Sequence, residues 1–307
     1  MNMSENVQPG KAIDPARIGV SKTAVVATDL CERKGWYGEN IRDENGRRVR
    51  HLMPERVHFG KALDVAVEAL LWRFARADGV VDIVPPLEAG ISSYLGNEFS
   101  DARLPGKEIE QELGNALEQL TADIAHDEFG RSTVMVDGTV IDFTGALFQG
   151  LDGESLAVDL EDVMGKEGTQ RFIGTPDFIL PSPHGDTILD LKSAARARTT
   201  TFSSEMGFYS WLATAMGRRV ARVGYIVWLR QKSPRWSVLI EPATSGLLDL
   251  GYRHAMRTAR VASSNLDQVG WHTTLCGSCE WKRPVEGFTG CEIGRLIDVA
   301  AAEKKEA

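Results

Sequence analysis

The chain has 307 residues, with 35 Lys or Arg against 43 Asp or Glu, a formal net charge of −8. Its 43% hydrophobic and 25% charged content is that of an ordinary folded protein and excludes collagen-like, coiled-coil and wholly disordered chains. The apolar stretch Val223–Leu229 is far short of the ~20 residues of a membrane span, and the first residues lack a secretory apolar core. A cytoplasmic protein with reduced cysteines and no membrane partner is the expectation.

Length admits two domains or one large α/β domain with insertions. Residues 1–20 are polar, carry Pro and Gly and show no period, and read as a flexible arm. Thr28 or Asp29 is positioned to cap a short helix presenting Cys31 in its first turn, near the positive end of the helix dipole, where a thiolate is favoured. Residues 40–56 read as a charged loop. Leu63, Val67, Leu70, Leu71 and Phe74 then recur at helical spacing, which predicts a helix from Lys61 with one buried face.

Pro85-Pro86 and Pro105-Gly106 read as breaks, and Ile109, Leu113, Leu117, Leu120 and Ile124 mark an amphipathic helix. Residues 80–128 are accordingly expected to be a helical insertion. The period then becomes two, with a hairpin turning at Asp137-Gly138. A second strand pair, RFIGTPDFIL and TILDLKSA, flanks the turn-rich PSPHGD. A helix over about 203–217, two strands (VGYIVWLRQ and RWSVLIEP) and a helix over 245–262 follow, and 294–307 is a solvated tail. This order predicts an α/β fold with a mixed central sheet flanked by helices.

Charge is segregated. Between Lys192 and Arg235 nine basic residues face a single acid, Glu205, whereas the rest of the chain is acidic. A cationic segment of this kind suits a phosphate backbone, although by itself it is equally a solvated face. Beside it lies a sharper pattern. In a strand, residues two apart share a face, so Asp190 and Lys192 project together, and pairing around the 181–186 turn brings Asp177 beside Asp190. Two carboxylates at close range repel unless a hard cation such as Mg²⁺ or Mn²⁺ lies between them. Ile188, Leu189 and Leu191 indicate a buried strand, in which an Asp and a Lys are costly unless paired or ligated.

Pro176-Asp177, twelve residues, then Asp190-Leu191-Lys192 resembles the PD-(D/E)xK nuclease superfamily. The resemblance extends to its RecB-like branch. Gly60-Lys61-Ala62-Leu63-Asp64 puts Asp64 where that branch carries a metal-binding His, and Glu205-Met206-Gly207-Phe208-Tyr209 resembles its Gln-x-x-x-Tyr motif with Glu for Gln. The resemblance implies a restriction-endonuclease-like core over residues 21–293. It implies Asp64, Asp177 and Asp190 as ligands for Mg²⁺ or Mn²⁺, and Lys192, Glu205 and Tyr209 as further catalytic residues. Arg196, Arg198 and Tyr209 are the implied DNA contacts.

The four cysteines are Cys31, Cys276, Cys279 and Cys291. A C-x-x-C pair is compatible with redox chemistry, zinc or an iron–sulfur cluster, and zinc could also use three thiolates plus His272. The layout of one Cys before the core and three after it is similar to that of AddB and CRISPR-associated exonucleases. It implies a 4Fe–4S cluster within 270–293 and at Cys31, stapling the N- and C-terminal parts, with zinc as the alternative. The eleven-residue gap before Cys291 is longer than in that family.

The expected activity is metal-dependent exonucleolytic hydrolysis of single-stranded DNA, in recombination, repair or phage DNA metabolism, with a helicase or recombination protein as partner. A structure-specific endonuclease and a non-catalytic DNA-end-binding accessory protein are the alternatives.

Overall fold

The structure, a computed structural model, describes residues 19–41, 55–76, 82–96, 106–122, 124–126, 132–152, 155–161 and 169–270, together with 276, 279, 281 and 291. The elements in chain order begin with β1 (Val20–Ser21), α1 (Lys22–Leu30) and α2 (Glu32–Asn40). They continue with α3 (Glu55–Arg76), α4 (Val84–Leu95), α5 (Gly106–Ala122), β2 (Ile124–His126), β3 (Ser132–Val136) and β4 (Thr139–Asp142). Next come β5 (Leu147–Phe148), α6 (Gln149–Asp152), β6 (Leu156–Glu161), β7 (Thr169–Gly174), β8 (Phe178–Leu180) and β9 (Asp186–Ala194). Helix α7 (Ser204–Ala215), β10 (Val220–Leu229), β11 (Arg235–Pro242) and α8 (Ser245–Ala262) complete the series. The protein is a mixed α/β structure.

The chain divides into two compact units. One comprises Leu52–Leu156 and Thr175–Leu248, and the other comprises Met1–His51, Ala157–Gly174 and Asp249–Ala307. The larger unit holds a five-stranded sheet in the order β11-β10-β9-β8-β5 and a three-stranded sheet β2-β3-β4. Strand β10 runs parallel to β9 and antiparallel to β11, and β9 is antiparallel to β8. Central strands with neighbours on both sides read as nearly continuous apolar runs, and Val223 through Leu229 are all buried. Gly224 sits at the tightest point of that strand: a side chain there would collide with the Leu239 carbonyl, Ile240 and Leu189, so only glycine fits.

The predicted helical faces become core. Leu63, Val67, Leu70, Leu71 and Phe74 of α3 and Ile109, Leu113, Leu117 and Leu120 of α5 are buried in one cluster with Leu189, Leu191, Ile226 and Trp228 of the sheet. Ile124 is an exception to the helical reading, since it lies in β2. Pro85 and Pro86 initiate α4 instead of breaking the chain, because the first helical turn has no intrahelical acceptor for their missing N–H. The Asp137-Gly138 turn forms as expected, with φ of 51° and 76°, the left-handed values that favour Asp and Gly in a two-residue hairpin.

Two boundaries move. Helix α3 begins at Glu55, so its first turn is cut from residues assigned to the charged loop, and Gly60 is a helix-interior residue. The RFIG segment forms β7, which pairs with β1 and β6 in the smaller unit's sheet instead of continuing into β8; Val20 aligns with Phe172. The arm therefore ends before Val20. The rest of the expected arm (1–18), most of the expected loop (42–54) and the tail (294–307) lie outside the described residues.

Candidate active site

The register Phe178↔Leu189 places Asp177, the residue preceding β8, opposite Asp190. The Asp177 carboxylate accepts a hydrogen bond from the Leu191 backbone N–H, which fixes it against β9. Asp190 is 1% exposed and ion-paired with Lys192, its same-face neighbour. Lys192 Nζ also lies 3.1 Å from Glu205 Oε1, so one ammonium bridges two carboxylates. Glu205 comes from the first turn of α7, whose N-terminus is capped by Ser203 through a 3.1 Å bond from the Met206 N–H. One turn on, the Tyr209 hydroxyl donates to the Thr175 carbonyl at 3.1 Å and lies 3.3 Å from Asp190 Oδ1.

The electrostatics follow from burial and crowding. Burial, then the charges of Asp190 and Asp64, push the Asp177 carboxyl well above the usual carboxylate range, against the opposing pull of Lys192 and the Leu191 N–H. Asp64 of α3 thus shares the electrostatic neighbourhood of Asp177. Burial alone would lower the Lys192 pKa, but Asp190, Glu205 and Asp177 together outweigh it and hold the ammonium above its ordinary value. Burial and the Asp190 charge raise Tyr209 as well, so it stays a neutral phenol and a hydrogen-bond donor.

The structure therefore brings Asp177, Asp190, Lys192, Glu205 and Tyr209 into one contact network and Asp64 into its field. Tyr209 has no exposed surface, so the direct DNA contact expected for it does not match its position; its hydroxyl instead meets the Thr175 carbonyl and Asp190. Arg196 and Arg198 are exposed, and the Arg198 guanidinium lies 5.0 Å above the Tyr225 ring. Not all of the cationic segment faces solvent. Arg218 pairs with Asp186 at 2.7 Å, and Arg230 joins Glu112 at 2.7 Å and Glu55 at 3.3 Å while lying 4.2 Å above Phe59.

Tyr225 was not singled out from the sequence. It aligns with Asp190 on β10, its hydroxyl lies 2.8 Å from Ser203 Oγ and 3.4 Å from Glu205 Oε2, and burial pushes its pKa up to about 12. The signal was faint: Tyr225 is the one residue with a polar tip, apart from Trp228, in the apolar run Val223–Leu229.

Asp64, Asp177 and Asp190 offer hard oxygen donors with an excess of negative charge, and in donor chemistry they fit a divalent cation. Among the described residues no three His, Cys, Asp or Glu side chains have the mutual spacing of a metal site, and the Lys192 ammonium sits against Asp190. The cysteines stand similarly. Cys31 does not lie in a helical first turn capped by Thr28 or Asp29; it is itself the residue between α1 and α2, and Ser21 caps α1. Glu32 next to it accepts from the Gly270 N–H at 2.9 Å and pairs with Arg257 at 2.8 Å, while Trp36 Nε1 donates to the Ser264 carbonyl at 2.8 Å. These bonds tie α2 to the approach of the C-x-x-C segment. Cys291 is buried beside Tyr37 and Trp281, with Cys279 packed against that cluster. The four thiolates fit a cluster or zinc in donor type, not in their present spacing.

No family model matches the chain, and no curated protein matches it. Among solved structures, a protein from Eubacterium rectale named “Putative exonuclease” is similar at 12% identity over 96% of this chain and 98% of that one, with a TM-score of 0.42. A protein named SSO0001 is similar at 12% identity over 84% of this chain and 93% of that one, with a TM-score of 0.30. Likenesses of this size carry no functional assignment, which rests on the residues themselves. No helix among the described residues is long and apolar enough to cross a membrane.

Proposed function

We propose that this chain is a metal-dependent deoxyribonuclease that hydrolyses single-stranded DNA from an end. The observation that carries the reading is a half-buried lysine ammonium held between Asp190 and Glu205 while Asp177 is crowded by two further carboxylates. Asp64, Asp177 and Asp190 would hold Mg²⁺ or Mn²⁺, which when bound polarises a phosphoryl oxygen and makes a bound water more acidic. The chain's own residues do the rest. Lys192 orients the attacking water and offsets charge growing on the phosphoryl oxygens. Glu205 keeps that ammonium aimed, and Tyr209 fixes the Asp190 carboxylate. Arg196 and Arg198 neutralise phosphates of the incoming strand.

In the smaller unit, Cys31, Cys276, Cys279 and Cys291 would hold a 4Fe–4S cluster whose role is structural, with zinc as the alternative occupant of the same thiolates. A place in recombination, repair or phage DNA metabolism, alongside a helicase or recombination protein, belongs to the same proposal.

The test uses single strands labelled at one end or the other, incubated with Mn²⁺ and with chelator, beside a circular single strand. The expected result is Mn²⁺-dependent release of short products from the linear strands, an intact circle, and no cleavage by Asp190→Asn. Cleavage of the circle would replace exonuclease by endonuclease. Cleavage by Asp190→Asn at the wild-type rate would reject the site.

A further inference from the structure

Three residues before Glu205 stands a side chain that the mechanism above does not use. Phe202 is 56% exposed, the largest side chain in the short segment that links β9 to α7. A single exposed apolar residue is ordinary on a protein surface, and alone would mean nothing. What sets Phe202 apart is how its backbone is held. Thr201, 3% exposed, donates to Glu241 Oε2 from both its N–H, at 2.7 Å, and its hydroxyl, at 2.6 Å. These bonds keep the Glu241 carboxyl below the usual range, so the clamp is charge-assisted. On one side the Phe202 N–H donates to Thr200 Oγ1 at 3.0 Å; on the other, Ser203 caps α7 and meets the Tyr225 hydroxyl at 2.8 Å. A loop fixed on both flanks presents one aromatic ring to solvent in a defined place.

The surroundings specify what such a ring can receive. Arg198 is stacked on Tyr225, which touches Ser203, the next residue after Phe202. Arg196 and Arg198 are both exposed in the same segment. Glu205 lies three positions beyond Phe202, at most about 11 Å of Cα path, which is a few nucleotide steps from the lysine and carboxylate centre. An exposed aromatic ring on a hydrogen-bonded segment that also carries exposed guanidinium groups is the chemistry that binds a single strand: cations track the phosphates, and an unpaired base lies on the ring. A base-paired duplex keeps its faces stacked inside and offers none to the ring.

We propose that Phe202 is a stacking platform for an unpaired nucleobase next to the scissile phosphate, a positioning role that deepens the nuclease reading and rests on it. The preference for single strands then has a residue behind it.

The experiment measures binding of full-length protein, in chelator so that nothing is cut, to fluorescently labelled oligo-dT and to an abasic strand of equal length and charge. Phe202→Ala should weaken oligo-dT binding about 5- to 150-fold, the range of one base–aromatic contact, and leave abasic binding unchanged. Phe202→Trp should restore oligo-dT binding, and Phe202→Leu, which keeps apolar bulk without a π face, should not. Unchanged oligo-dT binding by Phe202→Ala, an equal loss on the abasic strand, or rescue by Leu overturns the stacking role while the nuclease reading stands. Wild-type protein that binds neither strand overturns the nuclease reading, and the platform with it.

Discussion

Replacing Lys192 by Met keeps most of the unbranched apolar stem and removes the ammonium, its charge and its N–H donors together. The structure sets the consequence. Asp190, 1% exposed, loses its ion pair, Glu205 loses a donor at 3.1 Å, and Asp177 loses a nearby positive charge that opposes its crowding. Removing one partner from a buried ion pair costs about 3–5 kcal/mol, since the other is left charged in a poor solvent. The Lys192 side chain is 23% exposed, so water softens the loss and the lower end, about 3 kcal/mol, is expected. For the larger unit alone, Leu52–Leu156 and Thr175–Leu248, that is roughly 6–12 °C in melting temperature. The pH dependence has a definite sign. Without the ammonium, Asp177 holds its proton even more tightly in the folded state than in the unfolded one, so the variant becomes less stable as pH rises. Thermal melts of both proteins in chelator at pH 5 and pH 8 test this. The deficit should be largest at pH 8 and shrink in acid. Equal melting temperatures at pH 8, or a deficit that grows on acidification, would refute the account of Lys192 as the counter-ion of this site.

Asp177→Asn follows from the same electrostatics. The wild-type carboxyl is protonated in the folded state over a pH window above its ordinary value in which the unfolded chain has released the proton, so wild-type stability falls as pH rises through that window. The Asn variant, which still offers an acceptor to the Leu191 N–H, should therefore gain on wild type from acid toward neutral pH, in melts without divalent ions, while losing cleavage. A gap between the two that is independent of pH would contradict the raised carboxyl. For the cysteines, protein purified without oxygen should be brown and contain iron, with colour lost in Cys276→Ala. A colourless preparation with stoichiometric zinc would assign zinc to the same thiolates.

The centre of the site was legible because short-range geometry determined it. Asp190 and Lys192 share a strand face by the period of two, the 181–186 turn sets Asp177 against Asp190, and Glu205 and Tyr209 share a helix face by the spacing of four. Each needs only a local element to be right. The features that sequence reasoning missed depend on partners far away. Nothing near Tyr225 says that β10 will align it with Asp190, and nothing near RFIG says that its partners are Val20 and Ser21. The exposed ends of elements were misplaced for another reason. The first turn of α3 carries no apolar residue that periodicity can register before Val57, and the prolines of α4 mark a start as readily as a stop. Phe202 was invisible because exposure of a phenylalanine is a property of the assembled structure.

The smaller unit is threaded from three separate stretches of chain, and its strand β1 pairs with β7 while Trp36 bonds to a carbonyl 228 positions further on. Closing loops of that length carries an entropic cost that no local contact offsets early, which slows assembly. During synthesis on a ribosome, every segment of the larger unit has emerged by Leu248, whereas α1 and α2 must wait for Arg257, Ser264 and Gly270. The nascent protein can thus complete the half bearing the acidic and lysine residues while the half bearing the cysteines still lacks its closing pieces.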